Sequence, residues 1–229
     1  MRAQDKTGFV AGIRNALTTV ADPALAAPMR AYQRDRFPFL GIQTPARRHA
    51  VAALLKPALT GPDALACAEA LWRLPEREYQ YVAVDLLNRN VRRLTPDDLP
   101  RVLALVREKS WWDTVDGLAK VVGTILRQAR RQRPDIQACM DDALSHPDFW
   151  MRRIALLHQL GWGQETDADR LFRYAAAHAP EREFFIRKAI GWALRDYARH
   201  APDAVRAFVA AQGDRLSGLS RREALKRLG

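Results

Sequence analysis

The sequence predicts an all-α protein, and three observations carry the prediction. Apolar residues recur at helical spacing along almost the whole chain. Alternating β-branched runs bounding hairpin turns are missing. Helix starts are marked by Pro beside an acid or a hydroxyl, the combination favoured at N-caps and first turns. In order, these starts are Thr44-Pro45, Gly61-Pro62-Asp63, Thr95-Pro96-Asp97-Asp98, Arg133-Pro134-Asp135, His146-Pro147-Asp148 and Ala201-Pro202-Asp203. They predict about a dozen helices of roughly 10 to 18 residues joined by short loops. No Ser/Gly-rich linker interrupts them, so residues 1–229 are expected to form a single domain.

The predicted helices fall into pairs beginning near Gly61, Thr95, Pro134, Gln164 and Pro202, a spacing in the range of helical repeats. The second helices share a pattern. Glu78-Tyr79-Gln80-Tyr81-Val82, Asp148-Phe149-Trp150-Met151-Arg152-Arg153 and Glu183-Phe184-Phe185-Ile186-Arg187-Lys188 each open on an acid followed by aromatics, and the last two end on a basic pair. The expectation is an α-solenoid of HEAT-like antiparallel helix pairs, its second helices lining a concave basic groove.

Charge narrows the class of partner. The chain carries 37 Lys+Arg against 26 Asp+Glu, a net charge of +11, which favours a polyanion such as nucleic acid. At 48% hydrophobic and 28% charged residues it has material for a core, which excludes a disordered basic tail. No apolar run reaches membrane-spanning length, and Met1 to Val10 has no apolar segment of the export type, so a cytoplasmic protein is expected. Cys67 and Cys139 stand far apart without ligand-spaced partners, and the five His are scattered. Neither a disulfide framework nor a metal site is expected. Gly-rich phosphate loops, Gly-x-Ser-x-Gly elbows and His-Glu-x-x-His strings are absent.

The densest cluster of candidate residues is Ser110-Trp111-Trp112-Asp113-Thr114-Val115-Asp116 at a helix start. Trp112 and Asp116 share a helix face by their spacing, while Trp111 and Asp113 point elsewhere. Two readings of the cluster stand side by side: a core Trp pair with acids serving the helix dipole, or a carboxylate and an indole facing a ligand. Trp192 shares a face with Lys188 in the same way. Its neighbour Gly191 has no cap or turn role in mid-helix, so some group is expected to approach the backbone there. The stretch Arg127 to Arg133 holds four Arg and no acid, and residues 182–229 hold 11 basic against 5 acidic residues. Both are candidates for phosphate contact.

Four strings in order carry a resemblance: Phe39-Leu40-Gly41-Ile42-Gln43-Thr44-Pro45, Leu74-Pro75-Glu76-Arg77-Glu78, Ser110 to Asp116, and Phe184 to Trp192. Over nearly the whole chain the sequence resembles the AlkD family of bacterial DNA alkylation-repair glycosylases. The resemblance implies a HEAT-like solenoid holding duplex DNA and hydrolysing the N-glycosidic bond of cationic alkylpurines, without a cofactor and without flipping the base. By the same resemblance the catalytic carboxylate is Asp116, the lesion-facing tryptophans are Trp112 and Trp192, and the backbone-contacting arginine is Arg153, through the match of Trp150-Met151-Arg152-Arg153. Tyr32 and Gln43 are implied as DNA contacts, and Arg152 and Lys188 join them as basic neighbours.

An alkylated purine carries a positive charge and leaves readily, so such an enzyme need only stabilise an oxocarbenium-like sugar and direct water. The expected activity is a monofunctional hydrolase of base excision repair. It acts on 7-methylguanine, 3-methyladenine and bulkier cationic adducts in double-stranded DNA, as a monomer associated with the nucleoid through DNA. Two rivals stay open: a non-catalytic HEAT-repeat protein binding unusual DNA structures, and a protein-interaction solenoid.

Overall fold

A computed structural model describes residues 3–228; Met1 and Arg2, part of the N-terminal stretch that lacks an apolar export-type segment, lie outside them. The chain is all-helical, about 74% helix, with no strand among the described residues. Among the described residues thirteen α-helices follow in order: α1 (Ala3–Thr19), α2 (Pro23–Tyr32), α3 (Thr44–Leu55), α4 (Gly61–Trp72), α5 (Arg77–Asn90), α6 (Leu99–Arg107), α7 (Trp112–Ala129), α8 (Ala138–Leu144), α9 (Phe149–Leu157), α10 (Ala168–Ala177), α11 (Phe184–Tyr197), α12 (Pro202–Gln212) and α13 (Gly218–Leu225).

The Pro-marked starts are helix starts for physical reasons visible in the caps. Thr60 accepts from the Asp63 amide ahead of α4, and Asp148 accepts from the Trp150 amide ahead of α9, each satisfying a donor that the first turn leaves open. Thr95 and Asp98 form a reciprocal capping box. Two starts differ from the expected form. At Pro96 and at Pro134 the chain first makes a short 3-10 turn, Pro96–Asp98 or Pro134–Gln137, before the α-helix proper. A tighter first turn is common at helix ends, where amides lack i−4 partners. The Asp22-Pro23 pair has the same signature and opens α2, a helix with no buried residue.

The described chain clusters into two compact units, one up to Leu105 and one from Val106. In the first, α1, α3, α4 and α5 pack together around Ile13, Leu17, Val51, Leu65, Leu71, Trp72, Val82 and Leu86, all at most 1% exposed. In the second, α7, α9 and α11 pack in succession, with α8 and α10 against α9 and α13 against α11. Its core is Val115, Leu118, Val122, Ile125, Ile154, Leu157, Ile186 and Ile190. These are the helical-spacing positions that the sequence marks as an apolar stripe.

Ion pairs join one repeat to the next. Arg47 and Asp85 are 38 residues apart, Arg101 and Glu69 32, Arg127 and Glu165 38, Arg170 and Asp141 29, and Lys188 and Glu223 35. Those separations, 29 to 38 residues, lie close to the 30 to 39 residues between the pair starts at positions 61, 95, 134, 164 and 202. No helix among the described residues is long and apolar enough to cross a membrane.

Candidate functional site

The second unit brings Asp116 and Arg153 together. Asp116 lies one turn into α7 and Arg153 in the second turn of α9, and the two helices are neighbours. Arg153 Nε donates to Asp116 Oδ1 at 2.7 Å and Nη2 to Oδ2 at 2.8 Å, a fork-on-fork pair. The remaining Arg153 Nη1 donates to the Phe185 carbonyl at the start of α11. One guanidinium therefore ties α7, α9 and α11 to one another. The Arg153 side chain is 5% exposed and that of Asp116 18%, so the carboxylate keeps an opening that its partner lacks.

The floor of the pair is aromatic. The Trp111 and Trp150 rings meet edge-on at 5.7 Å, and Phe185 stands 5.1 Å from Trp111 and 5.0 Å from Trp150, with Phe149 4.5 Å from Trp150. Arg153 lies over the Phe185 ring at 5.9 Å. The cluster meets the pair through Arg153, whose guanidinium lies against Phe185. Burial pushes the Asp116 carboxyl above its usual range, against the opposing pull of the Arg153 guanidinium, and the nearby Asp113 adds to the rise.

The cluster at residues 110–116 thus divides. Trp111 is the N-cap of α7, 4% exposed, and belongs to the core. Trp112 is half-buried and lies one turn before Asp116 on its face. On α11, Trp192 is 36% exposed and Phe184, at the first position, 50%. The close approach expected at Gly191 exists and comes from within the chain: a Cβ there would stand 2.4 Å from Glu223 Cβ and 2.8 Å from the Ser220 carbonyl, so α13 seats directly on the α11 backbone.

The basic candidates are largely engaged. Lys188 Nζ pairs with Glu223 of α13 at 2.8 Å, and Arg195 pairs with the same carboxylate. Arg152 donates from Nη1 to the His146 and Pro147 carbonyls at 2.8 and 2.9 Å and reaches Glu181 at 3.4 Å. Arg127 and Arg130 share Glu165, whereas Arg131 and Arg133 are exposed. Tyr32 and Gln43 belong to the first unit, Tyr32 as the 73% exposed last residue of α2 and Gln43 as the exposed N-cap of α3. Sequence reasoning missed Phe185, Trp111 and Trp150 as the bed of the pair. The signal was present in the acid-then-aromatic opening that α9 and α11 share, but it does not say which aromatic faces inward.

A helical-repeat fold with a bidentate carboxylate–guanidinium pair on an aromatic bed defines a class, and comparison with known proteins assigns it. The model of the DNA alkylation repair enzyme family matches residues 13–228, and the chain belongs to that family. A solved structure from Enterococcus faecalis, described as a predicted DNA alkylation repair enzyme, is 36% identical with a TM-score of 0.84, over 91% of this chain and 97% of that one. AlkD2 from Streptococcus mutans is 17% identical with a TM-score of 0.58, over 81% of this chain and 88% of that one. The smu.31 protein of Streptococcus mutans UA159 is likewise 17% identical with a TM-score of 0.58, over 75% and 86%. The last two share the fold. No curated protein matches the chain.

Proposed function

We propose that this DNA alkylation repair enzyme is a glycosylase that hydrolyses the N-glycosidic bond of cationic alkylpurines, 7-methylguanine and 3-methyladenine among them, in duplex DNA. The observation that carries the proposal is Asp116, a largely buried carboxylate held on both oxygens by Arg153 Nε and Nη2 and left 18% exposed, one turn after Trp112 on α7. A carboxylate in poor solvent interacts strongly with a positive charge developing on the deoxyribose, and the same group orients the attacking water. Arg153, which the family resemblance implies as a DNA-backbone contact, is 5% exposed with Nε, Nη1 and Nη2 all engaged within the chain, and acts in this proposal as a positioning residue. It fixes both oxygens and opposes the protonation that burial favours. The half-buried Trp112 and the exposed Trp192 supply indole faces for a cationic sugar and base, worth about 0.5 to 2 kcal/mol each. The leaving base needs no proton, since alkylation has already charged it, so a single carboxylate suffices. Bulkier cationic adducts are expected substrates on the same ground, whereas uracil and hypoxanthine are not.

A structural role for the pair has one observation in its favour. Arg153 and Asp116 are 37 residues apart, within the spacing of the other inter-repeat ion pairs. Asp116→Asn separates the two readings. As the catalytic carboxylate, its loss lowers single-turnover release of 7-methylguanine by about 100- to 1,000-fold, the cost of a lost transition-state electrostatic contact, while duplex binding persists. Near-normal release together with a lowered melting temperature establishes the structural reading instead.

A further inference from the structure

A buried acid in the first unit has no part in the chemistry proposed above. Glu78, in the first turn of α5, is 0% exposed, and its carboxylate accepts three consecutive backbone amides: Leu40 N on Oε2, and Gly41 N and Ile42 N on Oε1, each at 3.0 Å. An isolated buried carboxylate is costly, and three aligned N–H donors are the compensation that makes it tolerable. The segment it holds has no regular structure and links α2 to α3. At its far end stands Gln43, exposed and without a side-chain cap bond of its own.

Neighbouring contacts aim the same way. The Arg77 amide donates to the Pro38 carbonyl at 2.9 Å, and the Arg77 guanidinium lies over the Phe37 ring at 3.8 Å. The Asp22 amide donates to the Leu40 carbonyl at 3.0 Å, which ties the start of α2 to the held segment. At the other end of α2, Gln33 Nε2 donates to the Tyr81 hydroxyl of α5 at 3.5 Å. The first two turns of α5 thus hold the segment between α2 and α3 at Gln33 and at Pro38 to Ile42, and the Asp22–Leu40 bond ties the start of α2, the helix that ends in Tyr32, to that segment.

We infer that Glu78 is a positioning residue for DNA binding, setting the chain path that presents Gln43 to the duplex; the inference rests on reading the exposed Gln43 as a DNA contact of the glycosylase proposed above, the role the family resemblance implies for it. Its carboxylate charge is needed because a glutamine offers a single acceptor oxygen and turns an N–H₂ toward one of the three amides. Glu78→Gln should therefore misplace the segment without removing any group that meets DNA.

The experiment measures duplex affinity by fluorescence anisotropy for the wild type, Glu78→Gln, Gln43→Ala and the double variant, well below each melting temperature. Glu78→Gln is expected to weaken binding about tenfold, as for a broken buried hydrogen bond. The loss falls on KM rather than kcat for 7-methylguanine release. The double variant is expected to bind no worse than the weaker single variant, because Glu78 acts through Gln43. Normal affinity in Glu78→Gln beside weakened Gln43→Ala, or additive losses in the double variant, overturns the inference alone. Normal affinity in Gln43→Ala overturns the reading of Gln43 and the inference with it. If Glu78→Gln does not fold, Glu78→Asp, which keeps the charge but draws the oxygens back by one methylene, takes its place under the same criteria.

Discussion

Asp116 sits between two opposed influences, burial and the guanidinium of Arg153, and burial is the larger. In the proposed mechanism base release uses the ionised carboxylate, so the rate is expected to fall as pH drops through an apparent pKa above the ordinary aspartate value of about 3.9. Arg153→Ala removes the opposing influence and is expected to move that acid limb to still higher pH. A limb that does not move in Arg153→Ala removes Arg153 from its positioning role, and a wild-type limb in the ordinary range overturns the upward shift of Asp116. His158 is the second residue whose titration matters. Its ring is 1% exposed, Nδ1 bonds the Ala155 carbonyl at 2.6 Å, Nε2 receives Gln137 Nε2 at 3.0 Å, and burial pushes its pKa down to about 4. A folded pKa below the unfolded value of about 6.5 means that the unfolded chain takes up the proton first. The stability that neutral His158 contributes is complete above that unfolded value and is lost as pH falls from it toward the folded one, with a slope approaching 1.4 kcal/mol, roughly, per pH unit. Urea denaturation of wild type and His158→Gln across this window should show a steeper pH dependence in the wild type. Parallel curves would exclude the residue as the cause.

At the scale of elements, the geometry of the Asp116–Arg153 pair depends on how closely α7 and α9 approach. Gly123 of α7 makes the approach possible, since a Cβ there would stand 1.8 Å from the His158 carbonyl that follows α9. Gly123→Ala must push the helices apart, at a cost of about 1 to 3 kcal/mol for overpacking. The same displacement separates a carboxylate from a guanidinium carried on those helices. The expected outcome is a lowered melting temperature with a loss of base release larger than instability explains, measured at a temperature where the variant is fully folded. Full activity in a folded Gly123→Ala protein would show that the pair tolerates helix displacement. The Gly191 contact with α13 is the counterpart on α11, where Glu223 also takes up Lys188 and Arg195. Lys188, read from the sequence as a DNA neighbour of Trp192, spends its charge on the fold.

Over the whole molecule, the charge of +11 overstates the cations available to a polyanion, because much of the arginine is consumed between repeats. Arg127 and Arg130 close on Glu165, and Arg170 and Arg173 on Asp141. Within the stretch Arg127 to Arg133, which the sequence marks as a candidate for phosphate contact, Arg131 and Arg133 are the exposed pair outside the Glu165 cluster. Arg131→Ala and Arg133→Ala are each expected to lower the slope of log affinity against log salt by about 0.9, the value for one phosphate contact on duplex DNA. Arg127→Ala, already neutralised by Glu165, is expected to leave the slope unchanged. Equal slopes in all three variants would place the stretch away from DNA.

Helical spacing, Pro-marked starts and the repeat period are local properties of the chain, so the all-α class and the helix pairing were legible in residue order alone, while the family needed four strings spread from Phe39 to Trp192. The sequence also marked Asp116, Trp112 and Trp192 as one-face neighbours of other chemistry-bearing groups, because helix geometry converts spacing into direction. What it left undecided is which partner each charged group takes. Trp111 and Trp112 are adjacent and identical, yet one is core and the other half-buried, a division set by the packing of α7 on α9 and α11. Arg152 and Arg153 are likewise adjacent. Tertiary packing gives the first to the His146 and Pro147 carbonyls and the second to Asp116, 37 residues away. A helix turns by about 100° per residue, so neighbours in sequence face different surroundings, and only the helices packed around them decide what those surroundings are.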